Sequence, residues 1–153
     1  MIKNKLIIFD FLRTVYDPDK KTFLEDALSV LKKLKNEGNI LILYTSKEGD
    51  KNRKEVLDEN NLEKYFDEIY ITEKKNSETM NSIKEKYAKA VEDVFVIGDR
   101  VESEIFFGNE NNFQTIWLKK GKYRNNCPEN KKEKPNFLIY GLKELLKFNF
   151  LKQ

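Results

Sequence analysis

LIIFD, residues 6–10, is a run of four apolar residues that stops at a carboxylate. A run this short with no polar alternation reads as a strand buried on both faces, as in a parallel sheet. The form recurs along the chain. ILILY (40–44) stops at Thr45, and EIYIT (68–72) is followed by Lys74 and Lys75. VFVIG (94–98) stops at Asp99, and FQTIWL (113–118) leads into a polar loop. Phe137 to Tyr140 forms a short sixth candidate. Between these runs, apolar residues recur at helical spacing, at Leu24, Ala27, Leu28, Leu31 and Leu34, and again at Met80, Ile83 and Tyr87. Thr22 with Glu25 predicts a capping box for the first helix and Gly38 its stop. Asn76 or Ser77 caps the helix that carries Met80. Short helices are expected around Val56 and Leu57, between Asp99 and a stop near Gly108, and at Leu142, Leu145 and Leu146. The alternation predicts an α/β protein: a Rossmann-like three-layer α/β/α sandwich on a mainly parallel sheet, one domain over 1–153.

Composition narrows the chemistry. The 153 residues hold 29 Lys plus Arg, 26 Asp plus Glu and no His, a formal net charge of +3. Without His there is no Ser-His-Asp triad, no Cys-His pair and no imidazole-bound zinc. The single Cys127 excludes an intrachain disulfide and suits a reducing compartment. Catalysis would fall to carboxylates, Lys, Arg, hydroxyls or a carboxylate-bound hard cation. The apolar run at 6–9 is too short for a signal-peptide core or a membrane span, so a cytoplasmic protein is expected, with no membrane partner. In a chain with 25 Lys, a basic balance alone is no argument for nucleic acid.

In a parallel sheet the carboxyl ends of the strands share one rim, where such folds bind ligands. That rim would collect Asp10, Thr45, Asp99 and one of Lys74 or Lys75. Carboxylates bind Mg²⁺, while an ammonium and a hydroxyl serve phosphate oxygens. A carboxylate can also attack phosphorus and split the transfer into two steps.

Four motifs in this order resemble the haloacid dehalogenase (HAD) superfamily of phosphatases and related hydrolases. LIIFDFLRTVYD (6–17) resembles its first motif, a strand followed by Asp-x-Asp-x-Thr. ILILYTS (40–46) resembles the second, Lys74 or Lys75 the third, and VFVIGDRVESEI (94–105) the fourth. The resemblance implies Asp10 as nucleophile and Mg²⁺ ligand, with the Leu12 carbonyl, Asp99 and Glu104 completing the metal site. It implies Thr45, or Ser46, on a phosphate oxygen, and Lys75, or Lys74, between nucleophile and phosphate. A phosphorylated substrate would be the partner. A response-regulator receiver domain fits poorly, because the third strand ends in Ile71-Thr72.

The first motif departs from the family at Leu12, where HAD phosphatases carry a second Asp. That acid protonates the leaving oxygen and then activates water, help worth ~10²–10⁴-fold. Three readings follow: a phosphatase with weakened chemistry, a variant that needs no acid there, as in the dehalogenases, or a catalytically silent phosphate- or partner-binding module. Glu102 and Asp17 are the nearby carboxylates in sequence. Arg13 stands where similar proteins often have Gly; it reaches a substrate anion or is a surface turn residue. The chain has no room for a large cap, since residues 15–22 offer only a flap. The loop 119–135 carries seven basic residues against Glu129 and Glu133. It reads first as a solvated Lys-rich loop and second as a guide for an anionic substrate.

Overall fold

The computed structural model describes residues 1–48, 50–87 and 89–147. In chain order the elements are β1 (Leu6–Phe9), β2 (Tyr16–Asp17), β3 (Thr22–Phe23), α1 (Ala27–Asn36), β4 (Ile40–Ser46), α2 (Arg53–Glu59), β5 (Glu68–Thr72), α3 (Ser77–Lys86), β6 (Val94–Gly98), α4 (Phe106–Glu110), β7 (Gln114–Leu118) and β8 (Phe137–Ile139). Six strands form one sheet in the order β5-β4-β1-β6-β7-β8, and every pairing is parallel. The chain builds outward from β1 to β5, then crosses back over β1 to lay down β6, β7 and β8. The order therefore reverses at β1, which puts the switch point beside Asp10.

The alternating pleat of β1 explains its unbroken apolar sequence. Leu6 and Ile8 pack with Met80 and Ile83 of α3 on one face. Ile7 and Phe9 pack with Ala27, Val30, Leu31 and Leu34 of α1 on the other. Both faces are covered, so neither parity tolerates a polar side chain. No described helix is long and apolar enough to cross a membrane.

Two local expectations are corrected. Thr22 does not cap α1. It pairs with Asp17 in the β2–β3 hairpin, where Asp17 Oδ1 accepts from the amides of Asp19 (2.9 Å) and Lys20 (3.2 Å). That Asx turn uses the polar residues locally, and α1 starts after Asp26 with no side-chain cap. The helix expected to stop near Gly108 ends at Glu110. An added Cβ on Gly108 would come 2.7 Å from Thr115 Cγ2, so its smallness lets α4 seat on β7. The last apolar segment is a 3₁₀ turn, Leu142–Leu146, rather than an α-helix. Other expectations hold: Gly38 follows α1 with φ 80°, and Asn76 caps α3 by accepting from the Thr79 amide at 2.7 Å.

At the rear of β5, Glu68 accepts from Tyr70 Oη (2.6 Å) and Tyr87 Oη (2.9 Å), and Lys86 Nζ sits 2.5 Å from its second oxygen. The Lys86 and Tyr70 hydrogen bonds hold Glu68 below its ordinary range. Burial and the Glu68 carboxylate push Tyr87 up to about 12 and raise Tyr70 as well. A phenol held above its unfolded value stabilises the fold fully below pH ~10 and loses that contribution as pH rises through its folded value. Ultraviolet titration of the native protein is expected to show two of the seven tyrosines ionising well after the rest. Glu68→Gln is expected to bring them back toward the others. A single step for all tyrosines would contradict this.

Candidate active site

Asp10 leaves the sheet in ladder geometry, its amide donating to the Ile97 carbonyl of β6 at 3.0 Å. Asp99 follows β6, Thr45 and Ser46 end β4, and Lys75 lies between β5 and α3. Since β4, β1 and β6 are adjacent and parallel, these residues meet on one rim. A single cavity is lined by Asp10, Leu12, Arg13, Thr45, Ser46, Arg53, Lys75, Asp99, Arg100 and Glu104, among others.

Lys75 Nζ donates to both Asp10 Oδ1 and Glu104 Oε1. Its side chain is only 6% exposed. Burial pulls the ammonium's pKa down, but the Asp10 and Glu104 carboxylates outweigh burial and hold it above its ordinary value. Lys75 is therefore a fixed cation. Lys74 does not join it: it lines a neighbouring groove, and its carbonyl accepts from Thr72 Oγ1 at 2.8 Å. Of the two candidates, Lys75 is the one placed against Asp10 and Glu104.

Asp10, Asp99 and Glu104 are buried and present ligand oxygens within 4.8 Å of one another. Neither side-chain oxygen of Asp99 has a hydrogen-bond partner. Burial, then the Asp10 and Glu104 charges, push Asp99 up to about 9. Glu104 is likewise raised by burial and Asp10 against the opposing pull of Lys75. Three carboxylates face one ammonium, and an unpartnered buried carboxylate is costly. Hard oxygen donors with surplus negative charge fit a cation such as Mg²⁺.

Local structure puts Glu104 there. Residues Val101–Ile105 form a π-turn, which adds a residue to the helical turn and swings Glu104 back over the end of β6. The Arg100 amide donates to its Oε2 at 3.3 Å. A Cβ on Gly98 would come 2.5 Å from Glu104 Cγ, so that approach requires glycine. Trp117 Nε1 donates to the Asp99 carbonyl at 3.0 Å, which makes this buried indole a brace for the turn that carries Asp99.

Thr45 Oγ1 accepts from Arg53 Nη1 at 2.6 Å, and the same nitrogen donates to the Ser46 carbonyl at 2.7 Å. Arg53, 8% exposed and 5.9 Å over the Phe11 ring, was not anticipated. Arg100 and Tyr123 were not anticipated either. One signal was available: the chain has only four Arg, and Arg13, Arg53 and Arg100 all line this cavity. Arg13 sits at its mouth with its guanidinium 5.2 Å from the Tyr123 ring. Of the carboxylates near in sequence, Glu102 lines the neighbouring groove and Asp17 a further one. Cys127 is exposed and free.

A HAD-hydrolase-like family model matches residues 71–145. Structures related in fold include the HAD-hydrolase YfnB from Bacillus subtilis bound to magnesium, at TM-score 0.77, 14% identity, 95% of this chain and 98% of that one. Residues 71–145 thus match HAD-like hydrolases, and the whole sheet has the HAD fold. D,D-heptose 1,7-bisphosphate phosphatase from B. bronchiseptica, complexed with magnesium and phosphate, matches this chain at TM-score 0.74 and 16% identity, over 94% and 98% of the two chains. The HAD-like SP0104 from Streptococcus pneumoniae matches at TM-score 0.72 and 13% identity, over 96% and 99%. No curated protein sequence matches the chain. At these identities the structural likeness is one of fold. The insertion points of the core are short here: the β2–β3 hairpin follows the first motif, and α2 with a 3₁₀ turn, Leu62–Lys64, joins β4 to β5.

Proposed function

We propose that this chain is a HAD-type, Mg²⁺-dependent hydrolase of phosphate monoesters, a single capless domain in which Asp10 is the nucleophile. The buried Asp10–Lys75–Asp99–Glu104 cluster, with both Asp99 oxygens unpartnered, carries the reading. The phosphatase with a related fold supports a phosphorylated substrate. The single exposed thiol fits a cytoplasmic setting.

Asp10, Asp99, Glu104 and the Leu12 carbonyl would hold the cation, which supplies charge neutralisation for the phosphoryl oxygens when bound. Lys75 holds Asp10 Oδ1, while Oδ2 has only a 3.4 Å hydrogen bond from Thr14. Oδ2 is thus the freer oxygen for attack. Its electron pair forms the bond to phosphorus as the ester P–O bond breaks, and the leaving oxygen takes up a proton. Water then attacks the aspartyl-phosphate and releases inorganic phosphate, restoring Asp10. Thr45, Ser46 and Lys75 bind phosphate oxygens, with Arg53 orienting the Thr45 hydroxyl, and Arg13 reaches a further anion of the substrate. Leu12 has no proton to give or take, so both steps run without the usual carboxylate.

Leu12 favours one competing reading, a HAD-like module that binds phosphate without turnover. The two are separated by p-nitrophenyl phosphate, whose leaving group departs without a proton. The expected result is hydrolysis by the native chain that requires Mg²⁺ and disappears in Asp10→Asn. Equal rates in the two proteins would overturn the hydrolase and favour the module.

A further inference from the structure

Arginine is scarce in this chain, yet three of its four copies face one cavity. Arg53 is committed to Thr45 and the Ser46 carbonyl. The other two are gathered elsewhere. The guanidinium of Arg13 lies 5.2 Å and that of Arg100 4.7 Å from the centroid of the Tyr123 ring, and Lys122 Nζ lies 5.4 Å from it. Arg100 has carboxylate partners, Glu102 at 2.9 Å and Glu48 at 3.9 Å. Neither Arg13 nor Lys122 has a carboxylate in ion-pair range among the described residues. Asp17 and Asp19 share their groove, but Asp17 is engaged by the Asp19 and Lys20 amides.

Arg13 adopts φ 61°, in the left-handed region like six other non-glycine residues among those described, so glycine is a replacement its backbone takes freely. One aromatic ring attracts each cation weakly at an exposed site, while the cations repel one another. Arg13 and Lys122 are left without an ion-pair partner among the described residues, and guanidinium groups bind phosphate and carboxylate oxygens through paired N–H donors.

We propose that Arg13, Arg100 and Lys122, collected on Tyr123, form a second anion subsite at the mouth of the Asp10 cavity. The substrate class is then a phosphate ester that carries a second phosphate or carboxylate group. The assignment of a substrate rests on the phosphatase reading; the subsite itself is tested by binding alone.

The probes are alkyl phosphonates, which are not hydrolysed, measured by calorimetry on the Mg²⁺-loaded full chain. Each monophosphonate is compared with the α,ω-bisphosphonate and the ω-phosphonocarboxylate of equal length, over a ladder of lengths. At the best length, one doubly charged series is expected to bind about tenfold tighter or more than its singly charged counterpart. The series that gains identifies the second group as phosphate or carboxylate. The double variant Arg13→Gly with Lys122→Ala is expected to lose most of that gain. Glycine suits φ 61°, so an unchanged melting temperature will separate the loss from misfolding, and Arg13→Lys is expected to retain part of the gain. No gain at any length, or a gain that survives in the double variant, overturns the subsite. A gain in a protein that fails to hydrolyse p-nitrophenyl phosphate supports the subsite and overturns the hydrolase.

Discussion

Leu12→Asp is expected to raise turnover of alkyl phosphate esters by roughly 10²–10⁴-fold, the worth of a positioned general acid–base. Leu12 lines the cavity beside Asp10, so an acid on the same Cα stands where the leaving oxygen departs. Its backbone is held by a bridge to Tyr16 and by the Arg13 amide donating to the Tyr16 carbonyl at 2.7 Å. The frame for a carboxylate is therefore present. Leu12 is only half-buried against the core, so the substitution is expected to cost about 1 kcal/mol of stability. The diagnostic quantity is the ratio of alkyl to p-nitrophenyl ester rates. It is expected to rise in the variant, because the aryl leaving group has less need of a proton. An unchanged ratio would mean that proton transfer does not limit the native enzyme, and that Leu12 is not the lesion.

Asp99→Asn is expected to do two opposite things: remove Mg²⁺-dependent activity and stabilise the cation-free protein. With no partner on either oxygen, and Asp10 and Glu104 close by, the Asp99 carboxylate is held protonated far above its ordinary 3.8, up to about 9. A raised carboxyl works against the fold as it ionises. The cation-free protein should lose stability as pH rises from about 4 toward 9. Asn keeps the shape without the charge and offers N–H donors to the facing carboxylates. At neutral pH its melting temperature should exceed that of the native chain by roughly 5–10 °C, at ~2–4 °C per kcal/mol for a domain this size. Mg²⁺ should raise the melting temperature of the native chain and leave the variant nearly unmoved. A variant less stable than the native chain without Mg²⁺, or equally responsive to it, would contradict the metal assignment.

The two experiments probe separable halves of the site. Binding depends on charge balance in the buried cluster; turnover depends on proton movement beside Leu12. A chain that keeps the first and lacks the second binds phosphate and releases product slowly. The second anion subsite would then matter for affinity as well as selection, since ester and anion are held by different residues.

The strand ends were legible in the sequence by itself. A strand covered on both faces must be apolar at every position, so the first polar residue after such a run marks where the chain emerges from the sheet. Asp10, Thr45 and Asp99 were readable for that reason, and parallel pairing brought them to one rim. Glu104 came only through the resemblance of VFVIGDRVESEI to the fourth HAD motif. Lys74 and Lys75 were equivalent on paper, and only the turn from Thr72 through the Asn76 cap aims one ammonium at Asp10 and leaves the other outside. Thr22 misled because its local role was overridden by a hairpin partner. Arg53 on Thr45, and Arg13, Arg100 and Lys122 on Tyr123, were set by tertiary structure alone. Periodicity reports which residues must avoid water, a local property of each segment. Which charged side chains meet across distant loops depends on the path of the backbone between them, and that path exists only in the folded chain.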